Sequence, residues 1–114
     1  MSSYNSLSLR PDDLVGYAEI AAGLDMAAVR ETATALVDLV LTDDYAYMDA
    51  LPIAVQTEVV TPLTMLSDAL DDRVDDPIII AAIRAVKGSA QNVLAQCPPE
   101  MRALIEALPS GRRP

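Results

Sequence analysis

From Asp76 to Cys97 every local signal in this chain agrees on a single helix. Asp76 has a side chain suited to capping, and Pro77 fits the first helical position, where its missing N–H costs nothing. Ile79, Ile83, Val86, Ala90, Val93 and Cys97 recur at helical spacing, while Arg84, Lys87 and Gln91 line another face. Pro98 and Pro99 stop the run. A helix carrying such a stripe is not stable alone in water, so the rest of the chain must supply apolar faces to cover it.

Four more helices are legible around it. Pro11, Asp12 and Asp13 open the first, with Leu14, Tyr17, Ala18 and Ala21 on one face and Gly23 as its stop. Asp25 caps the second, which runs to about Thr42. Met26, Val29, Ala33, Leu36, Val37 and Val40 form one stripe of it; Ala28, Ala35 and Leu39 form another, leaving Glu31, Thr34 and Asp38 as a narrow wet strip. So much apolar circumference predicts a central helix or an interface. Pro52 opens a third helix reaching about Leu70, and Val55, Val59, Leu63, Leu66 and Leu70 keep phase through Pro62. A kinked helix is expected there, a split at Thr61 being the alternative. The last helix spans Glu100 to Leu108, with Met101, Leu104, Ile105 and Leu108 on one face.

The expected fold is therefore all-α, a compact bundle of four to five helices organised around the second helix and the Asp76 helix. A helical domain covers residues 11–109, preceded by a flexible arm (1–10) and followed by a loose basic tail (110–114). A chain of 114 residues suffices to bury its own core as one domain. With 52% apolar residues but neither Phe nor Trp, that core is aliphatic, and the apolar excess for so small a chain predicts a homodimer or another partner surface.

Charge and residue types remove several function classes. A net charge of −9 makes a nucleic-acid backbone a repelled surface, and anionic membrane surfaces are disfavoured for the same reason. The longest apolar run, Ile78 to Ile83, is too short to span a bilayer. The first ten residues show no basic start followed by an apolar run, so the expected compartment is the cytoplasm. Without histidine the common catalytic bases, triads and zinc sites are missing, and the four scattered glycines form no phosphate loop. Neither catalysis nor a cofactor is expected. Asp68, Asp71, Asp72, Asp75 and Asp76 crowd into a linker, yet no glycine or closing glutamate completes a calcium loop. They read as a solvated, self-repelling segment, with no metal site expected. Cys97, the single cysteine, lies on the apolar stripe and reads as a small buried hydrophobe.

What remains is a small acidic non-catalytic regulator that binds and inhibits another protein through an apolar helical surface. A transcription activator is one such partner. The expected contact residues are Leu7 and Leu9 of the arm, Leu39, and Tyr45 and Tyr47 of the Thr42–Ala50 break, because binding hot spots favour large, partly apolar anchors. Tyr47 leads, since of two tyrosines two residues apart only one points squarely into a core. The alternative is a nucleic-acid mimic, whose spaced carboxylates occupy the basic groove of a nuclease or DNA-binding protein.

Overall fold

Residues 9–110 are described by a computed structural model, and every regular element among them is helical. Helix α1 (Pro11–Ala22) starts with proline at its first position, and Asp13 accepts the Arg10 N–H at 3.2 Å. It closes where the Gly23 and Leu24 N–H groups turn back onto Ile20 and Ala21. Asp25 then caps α2 (Met26–Leu41), its Oδ1 accepting from the Ala28 N–H at 3.3 Å. Along α2, Val29, Ala33, Leu36, Val37 and Val40 are buried, whereas Ala28 and Ala35 join Glu31, Thr34 and Asp38 in water. The helix is thus amphipathic rather than buried all round, because a methyl group tolerates exposure that a leucine would not.

The break after α2 contains a turn at Asp43–Tyr45 and the single-turn helix α3 (Ala46–Asp49). Asp44 and Tyr45 adopt φ of 55° and 64°, the left-handed region. Helix α4 (Ile53–Asp71) runs uninterrupted through Pro62, so no split occurs at Thr61. An interior proline costs about 3 kcal/mol, whereas each Val or Leu fully buried returns about 1.5–3 kcal/mol. Val55, Val59, Leu63 and Leu66, all buried in phase on both sides of Pro62, outweigh it. The helix ends in a Schellman motif: Val74 N–H bonds Ala69 O and Arg73 N–H bonds Leu70 O, both at 3.2 Å, with Arg73 left-handed at φ 53°.

Helix α5 (Asp76–Ala90) departs from expectation at both ends. Asp75, not Asp76, holds the capping position, with its carbonyl accepting from Ile78 and Ile79 N–H. The Asp76 carboxylate turns instead to Arg30 of α2. At the far end the ladder tightens, Val93 N–H bonding Ala90 O, and a short turn over Leu94–Gln96 carries the chain to Cys97. Cys97 is extended (φ −75°, ψ 143°) as a residue preceding proline must be. Val93 and Cys97 nevertheless stay buried, so the stripe persists where the helix does not. Helix α6 (Pro99–Ala107) completes the chain.

The described residues form six helices, five of them of seven residues or more, and include no strand. The most extensive pairing is α4 against α5; α1 covers α5, while α2 packs on α4 and α6. The central pair is therefore α4 and α5, not α2 and α5. A radius of gyration of 13.4 Å matches the roughly 13 Å of a compact chain of this length. Leu36, Leu63, Leu66, Ile79, Ile83 and Met101 fill the interior, which holds no buried polar side chain among the described residues.

Candidate functional site

A helix that buries Val55, Val59, Leu63 and Leu66 on one side must offer the residues between them to water. On α4 these are Ile53, Ala54, Thr57, Val60, Thr61 and Thr64, all exposed. Ile53 is 75% exposed and Val60 37%, the two large apolar side chains of this face. None of the six carries a charge, and the strip they form extends about 16 Å along the helix at 1.5 Å per residue. Five are β-branched, with few rotamers to lose on contact. The Thr64 hydroxyl already donates to Val60 O at 2.7 Å, so covering it strands no donor.

The N-terminal end of this strip is braced. Gln56 Nε2 donates to Leu51 O at 2.8 Å and to Asp49 O at 3.4 Å, tying α4 to the chain that leaves α3. At the other end of α3 stands Tyr45, 55% exposed and held by the left-handed backbone that its own position and Asp44 adopt. Non-glycine residues in that region cost about 1–2 kcal/mol each, and such strain is often found at binding sites.

Of the five expected contact residues, the four that are described lie on different elements. Leu7 lies outside the described residues. Leu9 is half-buried and lines a cleft with Tyr17 against α5. Leu39, late in α2, packs on the core. Of the tyrosines, Tyr45 is the one that faces outward; Tyr47 packs on the core, and its hydroxyl donates to Glu100 Oε1 at 2.6 Å. Partial burial, then the hydrogen bond to Glu100 and that carboxylate's charge, push the Tyr47 phenol up to about 12. The same hydrogen bond holds Glu100 below the usual carboxylate range. The outer face of α4 has the same readable period, but an uncharged stripe rich in threonine carries no apolar signal of its own in the sequence.

Other chemistry-bearing groups are occupied structurally. Burial pushes the Cys97 thiol up, only partly opposed by Arg102, which keeps the nucleophilic thiolate scarce. Asp71, Asp72 and Asp75 are exposed, while Asp76 meets Arg30; among the described residues no three Asp, Glu or Cys side chains converge to hold a metal ion. No helix of the described residues is long and apolar enough to cross a membrane. Comparison with protein families, curated proteins and solved structures finds no match to this chain.

Proposed function

We propose that this protein is a non-catalytic regulator that binds a partner protein through the outer face of α4 and blocks the surface it covers. The observation that supports it is an uncharged strip, Ile53 to Thr64, on a molecule of net charge −9. Carboxylates stud the rest of the surface, half-exposed Glu58 at the edge of the strip included; the six strip residues themselves present only methyl, hydroxyl, isopropyl and sec-butyl groups. Docking there removes apolar area from water without desolvating an ion, the combination that favours tight contact. Tyr45, exposed at the start of α3, is a second amphipathic anchor available to a partner. The flanking acids, Asp49 before the strip, Glu58 beside it and Asp68 and Asp71 after it, repel a like-charged neighbour, so a neutral or basic partner fits better than a second copy.

The test places a carboxylate in the strip. Val60→Asp and Ile53→Asp leave the core untouched and should keep wild-type stability, yet each should abolish capture of a partner that the wild-type chain retains at high salt. If both variants keep the partner while replacing Asp71, Asp72 and Asp75 with Asn loses it, binding runs through charge and the nucleic-acid mimic takes over. Light scattering addresses the homodimer: a dimer dissolved by Val60→Asp assigns the strip to a second copy of the chain.

A further inference from the structure

We propose that the cleft between α5 and α6 binds a small organic anion with an apolar body, of the kind represented by a medium-chain carboxylate. Its volume is about 750 Å³, within the range of small-molecule sites, and Arg84, Lys87, Gln91, Leu94, Ile105 and Ser110 line it. The chain carries 8 cationic against 17 anionic side chains, yet two of the cations meet here, one turn apart on the same helix face. Both are positioned by neutral acceptors. Arg84 Nη1 donates to the Tyr17 hydroxyl at 3.0 Å, and Lys87 Nζ donates to Leu108 O at 2.6 Å. Among the described residues no carboxylate lies within 4.0 Å of either cation, so within that set their charge is oriented but not cancelled. Lys87 keeps two further N–H donors, and Gln91 and Ser110 add neutral ones. Glu106, on the same wall, sets a requirement that the anion lie toward α5.

Leu94 and Ile105 provide the apolar floor. Gly88 decides how far that floor extends. It lies inside α5, where glycine weakens a helix, and a Cβ built on it meets nothing within 4 Å. Gly88 and Arg84 also border a second cleft of about 390 Å³, walled by Ala81, Ala85 and Leu9. An alkyl body that starts at the two cations can therefore cross the bare Gly88 backbone toward Ala81 and Ala85. The overall negative field opposes an approaching anion, but it is screened beyond about 8 Å at physiological salt, which leaves the local cations in control.

The experiment titrates the full chain with octanoate, octan-1-ol and octylammonium while backbone amide shifts are followed by NMR. Saturable shifts centred on Gly88, Gln91, Leu94 and Ser110 are expected for octanoate, with the alcohol and the amine binding at least about tenfold more weakly. Arg84→Gln should weaken octanoate about tenfold. Gly88→Met fills the cleft without removing a fold contact and should abolish binding while the melting temperature holds or rises. Equal binding of octanol, shifts spread over the outer face of α4, no saturation, or unaltered binding by Gly88→Met would each overturn the proposal.

Discussion

Removing Arg30 should loosen the joint between α2 and the α4–α5 corner by an amount that distinguishes a pin from a helix cap. Arg30 Nη2 donates to Val74 O and to Asp76 Oδ1, both at 2.8 Å, with the two side chains 30% and 44% exposed. At that exposure the ion pair contributes about 0.5–1 kcal/mol after screening. The bond from a charged donor to the Val74 carbonyl contributes about 1 kcal/mol, discounted for partial burial. Arg30→Met should therefore cost about 1.5–2 kcal/mol, and Asp76→Asn about 0.5–1 kcal/mol. At about 4 °C per kcal/mol for a domain of this size, the first variant melts about 6–8 °C lower. Urea and thermal unfolding of both single variants and the double variant give the coupling, expected at about 0.5–1 kcal/mol and falling as salt is added. The cycle also separates the pair from the helix dipole, which Asp76 meets in the first turn of α5. In a second cycle built with Asp76→Ala, which unlike Asn cannot cap, a cost equal to that of Arg30→Met with no coupling between them would refute the pin and restore Asp76 as a cap.

Three further outcomes follow from the geometry. Arg73→Gly should stabilise the chain by up to about 1 kcal/mol in urea unfolding, because glycine adopts the left-handed position of the Schellman motif without steric cost. Leu36→Ala, at a fully buried position of α2, should cost about 2–5 kcal/mol by the same measurement. The Tyr47 phenol should ionise near pH 12 in an ultraviolet titration. Its raised value means the folded state holds the proton more tightly, so its contribution to stability is complete below the ordinary tyrosine value of about 10 and is lost as pH rises through about 12. Tyr47→Phe should remove that dependence and raise Glu100 toward the ordinary carboxylate range, short of it by the backbone hydrogen bond that remains, as read by carboxyl NMR shifts against pH.

Local signals settled where most helices lie. Pro11 with its acidic turn, Asp25 with its side-chain cap, and Pro52 with a stripe that ignores Pro62 act within a few residues, and the folded chain keeps each of them. The buried stripes of α2, α4 and α5 were likewise readable, since a helix imposes its period on whatever must leave water. Tertiary structure decided what local signals cannot reach. Asp76 prefers a guanidinium 46 residues away to its own helix end, and Tyr47 rather than Tyr45 turns inward because Glu100, distant in sequence, offers an acceptor. The uncharged strip on α4 and the cationic cleft beside α5 were spelled out in the letters, residue by residue. Their standing as surfaces depends on which faces α1, α2 and α6 cover, a choice made by packing many helices at once and carried by no single segment.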